Sequence, residues 1–289
     1  MMAHEFVHVS GRDIAYRRSS GQGRPVILVH GNSSSSRTWR HLLDGSFGGR
    51  HRCLAIDLPG HGASPAARPG SGVYSVPGYA TVLAGFAEAL DARDAVIVGW
   101  SLGGHIALEA SPLLPDAAGY AVYGTPPIGG PADLAEAFLP NPAVQTGFTA
   151  DVDRDAALAY ARSFLAPGSV LPTADLVADI LATDGTARSD LGASLAGPTA
   201  DEVEIVRGLD KPLAILQGAG EQLVNPVYLQ KLQAPTLWRG AVQTVQGAGH
   251  ALQEETPDEL TALLDHFIAE LPHTPSRSAQ PGSRLGERP

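Results

Sequence analysis

Apolar residues in this chain gather into short unbroken runs separated by longer amphipathic stretches. Residues 26–29, 53–56 and 95–98 contain no polar position. They lack the alternation of a strand with one wet face and predict parallel strands covered on both sides. Residues 121–123, 213–216 and, more weakly, 242–245 continue the series. Ahead of them, residues 6–9 and 14–16 flank the turn-forming Ser10-Gly11-Arg12-Asp13, the pattern of an antiparallel hairpin. Between the runs, residues 36–43, 77–90, 102–110, 227–232 and 257–271 carry apolar positions at helical spacing. Strand alternating with helix predicts an α/β protein with a mostly parallel, doubly wound sheet.

The rhythm breaks after Tyr123. About ninety residues pass before the next strand-like run, a length that connections of compact domains rarely reach without a function of their own. Within them, residues 132–138, 155–165, 175–181 and 202–209 read as helices punctuated by Pro and Gly. The expected organisation is a core of residues 1–126 and 209–271, an inserted helical cap at 127–208, and a polar, disordered tail at 272–289. The alternative for the insertion is a long crossover with an extra helix.

Composition narrows the partners. The 289 residues, 44% of them apolar, suffice for one large domain, so a second is not required. A formal charge of −10 opposes a basic track for nucleic acid. One cysteine, Cys53, excludes an internal disulfide and a thiolate-rich metal site. Residues 1–13 show no basic patch leading into an apolar stretch, and no run of 18 apolar residues occurs. The expectation is a cytoplasmic protein with no membrane partner; none of these patterns bears on oligomeric state.

The chemistry gathers at strand ends. Gly99-Trp100-Ser101-Leu102-Gly103 joins a predicted buried strand to a predicted helix. In that setting the glycines permit a tight turn that lifts the serine hydroxyl above the sheet, with a helix N-terminus behind it. Ser101 is therefore the candidate nucleophile. His30-Gly31-Asn32 follows the strand at 26–29, where the backbone N–H of Asn32, with that of Leu102, is placed to bind an oxyanion. Ser33 is the alternative donor in a register shifted by one, and a turn that merely starts the next helix would account for the glycine equally well. Of ten histidines, His250 in Gly247-Ala248-Gly249-His250 directly follows the last predicted strand and is the candidate base. His4, His8, His41, His51, His266 and His273 lie away from strand C-terminal ends, while His61 and His105 read as structural or pocket-lining. For the orienting acid, residues 124–128 offer no carboxylate and Asp210 precedes its strand, which leaves Glu221, after the run at 213–216. A lone loop glutamate is ordinarily a solvated charge; here it has no rival.

With these motifs in view, residues 6–271 resemble the α/β-hydrolase family, through His30-Gly31, Asp57-x-Pro59-Gly60-x-Gly62-x-Ser64, Gly99-x-Ser101-x-Gly103 and Gly249-His250. A departure is Glu221, where family members more often carry Asp. A narrower resemblance, through His30-Gly31-Asn32-Ser33-Ser34-Ser35, Gly99-Trp100-Ser101-Leu102-Gly103-Gly104-His105, Tyr123-Gly124-Thr125-Pro126-Pro127 and the glutamate acid, is to the metal-independent N-acyl-homoserine-lactone hydrolases. It implies an α/β-hydrolase fold, a Ser101–His250–Glu221 triad and ring opening through an acyl-enzyme, with no metal and no cofactor. The His-x-His-x-Asp-His ligand run of the metallo-lactonases is absent from the sequence. The resemblance implies that Tyr160 helps hold the substrate, the alternative being a packed cap aromatic. Trp100, Phe138, Leu139 and Phe148 are the expected substrate-facing residues, although the last three are equally eligible as packing contacts. The partner expected is a small ester or lactone. Alternatives are a general carboxylesterase and a slow-turnover, hydrolase-like ligand receptor.

Overall fold

In the computed structural model, which describes residues 3–130, 132–197 and 200–272, each apolar run sends alternate side chains to opposite faces of one sheet. Ile27, Val29, Leu54, Ile56, Ile97, Val122 and Ile215 pack on one face with Tyr79, Leu83, Phe86 and Ile106. Val26, Leu28, Cys53, Ala55, Val96, Val98, Ala121 and Leu216 pack on the other with Trp39, Leu42, Leu260, Leu264 and Phe267. Because both faces are covered, no position in these runs needs to be polar.

The strands are β1 (Glu5–Val9), β2 (Arg12–Arg18), β3 (Pro25–Val29), β4 (Arg52–Ile56), β5 (Val96–Trp100), β6 (Gly119–Tyr123), β7 (Leu213–Gly218) and β8 (Gln243–Val245). Their order across the sheet is β1-β2-β4-β3-β5-β6-β7-β8. The β1–β2 pair is antiparallel, as the hairpin pattern predicts; β2–β4 is antiparallel as well, and every other pair is parallel. In register, Leu28 lies between Ala55 and Val98.

Helices α1 (Arg40–Asp44) and α2 (Ser46–Arg50) join β3 to β4, α3 (Val76–Ala89) joins β4 to β5, and α4 (Leu102–Glu109) joins β5 to β6. Ser75 caps α3, its hydroxyl accepting from the Gly78 N–H at 3.1 Å. Between β6 and β7 come α5 (Leu134–Ala137), a 3₁₀ stretch (Pro142–Phe148), α6 (Arg154–Ser163), α7 (Ala174–Ala182), α8 (Gly185–Ser194) and α9 (Glu202–Gly208), and no strand among the described residues. After β7, α10 (Pro226–Gln230) leads to β8, and α11 (Leu252–Glu255) and α12 (Pro257–Glu270) follow. The tail expected at 272–289 lies, from residue 273 onward, outside the described residues.

Helix α8 is the main element the apolar pattern does not foreshadow. Its sequence, GTARSDLGAS, carries two glycines and buries only Ala187, Arg188 and Leu191. Local polar bonds hold it instead. Asp184 caps it by accepting from the Thr186 N–H at 3.0 Å, and the buried Arg188 guanidinium donates to the carbonyls of Thr149, Ala150, Ile180 and Thr183. One side chain thus ties three parts of the β6–β7 segment together. Arg188→Ala leaves four carbonyls without that donor. The expected outcome is a loss of about 3 kcal/mol in denaturant-measured stability, with limited proteolysis cutting first within residues 149–185.

Candidate active site

Ser101 stands where β5 turns into the eight-residue α4, with φ 54° and ψ −121°. A non-glycine residue in this left-handed region is strained and needs surroundings that enforce it. Backbone crowding supplies them: a Cβ at Gly103 would strike the carbonyls of Val29 and His30, and one at Gly99 would strike that of Gly103. Ser101 N–H donates to the Tyr123 carbonyl at 2.8 Å, and the Thr125 hydroxyl donates to the Ser101 carbonyl at 2.8 Å. The serine side chain is thereby presented at the sheet's C-terminal edge, at a helix N-terminus that favours negative charge.

The loops after β7 and β8 bring Glu221 and His250 together. His250 Nδ1–H donates to Glu221 Oε2 at 2.9 Å, and both side chains are 2% exposed. Glu221 Oε1 accepts from the Leu223 N–H at 2.8 Å, which fixes the carboxylate. With Nδ1 as the donor, Nε2 is the free acceptor; it is buried and has no hydrogen-bond partner among the described residues. Ser101 and His250 line the same cavity. Gly124 makes room for the imidazole: at φ +61°, a Cβ there would stand 2.6 Å from His250 Cε1. Phe164 stacks on the other side, 5.8 Å between centroids. Glu255 clamps the histidine loop, accepting from the Gly249 N–H at 2.6 Å and from the Ala166 N–H at 3.0 Å.

Two histidines organise the loop opposite. His30 Nδ1–H donates to the Gly31 carbonyl at 2.7 Å while Nε2 accepts from the Leu58 N–H at 3.1 Å. His61 Nδ1–H donates to the Pro59 carbonyl at 3.1 Å, and its Nε2 accepts from the Ser33 N–H at 3.3 Å. Burial pushes His30 down to about 4, and burial together with the neighbouring His30 pushes His61 down to about 3. Both rings are neutral. The Ser33 N–H is therefore engaged, whereas among the described residues the N–H groups of Asn32 and Leu102 meet no protein acceptor. Gly31 sits against Ser101, since a Cβ there would lie 3.1 Å from Ser101 Cβ. The Asn32 amide donates to the Gly147 carbonyl at 2.6 Å, joining this loop to the β6–β7 segment. Asp57 accepts from the N–H groups of Ser36 and Ala63, and His4 reaches it at 3.2 Å. His4, expected away from strand ends, thus lies just beyond β4, brought there by the β1–β2 hairpin.

The cavity above Ser101 has a volume of about 380 Å³ and a mainly apolar wall. Phe138, Phe148 and Tyr160 line it, with Val144, Leu191 and Leu223. Leu134 and Leu195 line it yet remain exposed, which marks its mouth. The Tyr160 hydroxyl makes no hydrogen bond among the described residues, and its ring packs on Phe164 at 4.5 Å. Two expected substrate contacts are corrected. Trp100 does not line the cavity, because its buried indole turns beneath His250 and donates to that residue's carbonyl at 2.8 Å. Leu139 does not line it either; its N–H pairs with the carbonyl of Leu223, and it is Phe138 and Leu223 that reach the cavity.

His105 does line the cavity, with Nδ1 at 2.9 and 2.8 Å from the two oxygens of Glu202. Burial opposes charge on His105, but the Glu202 carboxylate, its hydrogen bond and then Glu109 outweigh that and raise the ring above its usual value. Glu109, also in the wall, is pushed up to about 7 by burial and then by Glu202. Sequence reasoning missed Glu202, Glu109, Glu255 and Gly124. Only Gly124 left a signal, as a glycine directly after a strand.

A strand–serine–helix elbow facing a carboxylate-held histidine across a mostly parallel sheet is the arrangement of the α/β-hydrolase fold. The chain belongs to the Alpha/beta hydrolase family, which it matches over residues 26–263. The N-acyl homoserine lactonase AidH, solved in complex with N-butanoyl homoserine, is similar: 32% identical, TM-score 0.88, covering 94% of this chain and 100% of that one. The pimeloyl-[acyl-carrier protein] methyl ester esterase of Xylella fastidiosa (strain M23) is 28% identical over 273 residues, covering 89% of this chain and all of that protein. The esterase RhEst1 from Rhodococcus sp. ECU1013 shares the fold at 24% identity and TM-score 0.77, covering 94% of this chain and 99% of that one.

Gly124→Ala is expected to lower kcat at least about 100-fold by displacing the His250 ring, with the circular dichroism spectrum unchanged. The neutral rings of His30 and His61 set a pH dependence of stability. Their folded values lie below the unfolded value of about 6.5, so their contribution is complete above that pH and is lost as pH falls toward the folded values. At pH 5 the loss is about 2 kcal/mol for each ring. Urea midpoints at pH 7.5 and 5.0 check this, and His61→Asn is expected to reduce the difference between them.

Proposed function

We propose that the protein is a serine hydrolase of small esters and lactones, and that N-acyl homoserine lactones are its preferred substrates. The observation that carries this is the free, buried Nε2 of His250, oriented by Glu221, lining the same cavity as the strained Ser101. Ser101 Oγ attacks the carbonyl while His250 Nε2 takes its proton, and Glu221 stabilises the resulting imidazolium. The N–H groups of Asn32 and Leu102 receive the oxyanion, a reading supported by the engagement of Ser33 with His61. His250 then returns the proton to the leaving oxygen and activates a water that cleaves the acyl-enzyme.

For a lactone the leaving hydroxyl stays tethered to the acyl group and competes with water. The unpaired Tyr160 hydroxyl, on the cap side of the cavity, is suited to hold the substrate and draw that hydroxyl away. Phe138 and Phe148 supply apolar surface for an acyl chain. Similarity to AidH over nearly the whole chain supports the lactone reading. Similarity to the Xylella methyl ester esterase favours a second reading, a carboxylesterase acting on other small esters.

Proton release measured with homoserine lactones of graded acyl length, against p-nitrophenyl esters of matching acids, tests the choice. The expected result is multiple-turnover lactone opening that Ser101→Ala abolishes by at least about 10⁴-fold. Ester turnover with no lactone opening would shift the assignment to the carboxylesterase, and a single acylation without further product would remove the enzyme reading. Glu221→Gln is expected to lower kcat about 10²- to 10⁴-fold with the fold intact; unchanged turnover would sink the role given to Glu221.

A further inference from the structure

Along one wall of the cavity runs a polar stripe. Ser101, His105 and Glu109 stand four residues apart at the start of and along α4, a spacing that keeps them on one helix face, and all three line the cavity. At 1.5 Å per residue, His105 lies about 6 Å and Glu109 about 12 Å from Ser101 along the helix axis. Any charge on His105 is already matched, because Glu202 takes its Nδ1–H with both oxygens and also accepts from the Ile128 N–H at 2.9 Å. The Glu109 carboxyl has no hydrogen-bond or ion-pair partner among the described residues; burial and the charges of Glu202 and His105 are what act on it. No lysine or arginine stands among the residues that line the cavity.

A carboxylate carried on the acyl group would therefore find no unmatched cation here and would stand beside a second carboxyl. Even with its proton on, Glu109 gives an anion no countercharge, and the side chains of Val76, Ile128, Leu191 and Leu195, which also line the cavity, offer it no hydrogen bond. An ammonium or an apolar end meets neither obstacle. That the cavity receives a ligand at all is indicated independently, by the buried and unpartnered Nε2 of His250 that faces it.

We propose that the cavity accepts esters and lactones whose acyl group is uncharged or cationic and rejects those bearing a second carboxylate, with Glu109 as the discriminating residue. The assignment rests on the hydrolase function proposed above and adds to it the charge class of the substrate.

The test measures binding rather than turnover. Three eight-carbon amides, octanamide, 8-aminooctanamide and suberic acid monoamide, place the same amide at Ser101 and differ only at the far end. Each is titrated calorimetrically into the full chain at pH 8, into Glu109→Lys and into Glu109→Gln. The expected result is that octanamide and 8-aminooctanamide bind at least tenfold more tightly than suberic acid monoamide. In Glu109→Lys the suberic acid monoamide gains at least tenfold, and Glu109→Gln, the milder variant, narrows the gap. Equal binding of the three amides by the parent protein, or an order unchanged in both folded variants, would overturn the proposal. Failure of the hydrolase reading would appear separately, as absence of ester turnover by the same preparation.

Discussion

Where β5 gives way to α4, the carbonyls of Val29 and His30 press so close to Gly103 that no side chain fits between them, and Ser101 is driven to φ 54°. This crowding binds three parallel strands to one point, since Ser101 also takes the Tyr123 carbonyl of β6. The loop after β3, the turn after β5 and the segment after β6 then meet around Ser101. The energy held in the turn comes from packing of the covered sheet. The site is consequently a property of the sheet edge as a whole, and of no one loop.

The histidine side is assembled differently. Glu221 and His250 sit on loops that the sheet delivers only approximately, and neighbours from the β6–β7 segment complete the placement. Phe164 stacks on the ring, and Ala166 shares the Glu255 carboxylate with Gly249. On the opposite side the Asn32 amide holds the Gly147 carbonyl. The β6–β7 segment, which lines the cavity, is thus hydrogen-bonded both to the loop after β3 and to Glu255, the residue that holds the His250 loop. Its position is coupled to those of Asn32 and His250.

Much of this was legible in the chain because it is local. Unbroken runs such as 26–29 and 95–98 declare covered strands, and a serine between two glycines, or a histidine after a run, is visible where a strand ends. What resisted reading is long-range or made of backbone. Helix α8 is held by Asp184 and Arg188 rather than by an apolar stripe. The partner of His105 lies 97 residues away at Glu202, and the register of the loop after β3 depends on His61, 28 residues beyond Ser33. Residues 124–128 hold no carboxylate, and what matters there is the missing side chain of Gly124. Trp100 illustrates the opposite error: the last residue of β5, it follows Val96 and Val98 onto one face of the sheet, under the site, although it adjoins Ser101 in sequence.

The stripe on α4 ties Ser101 and Glu109 together through helical phase. One residue added or removed between Ser101 and Glu109 would rotate everything beyond it by about 100° and carry Glu109 out of the cavity. Insertions and deletions, the usual means by which loops change a binding surface, are closed to this wall. Change along it can proceed only by replacement of one side chain with another, at fixed distance from Ser101.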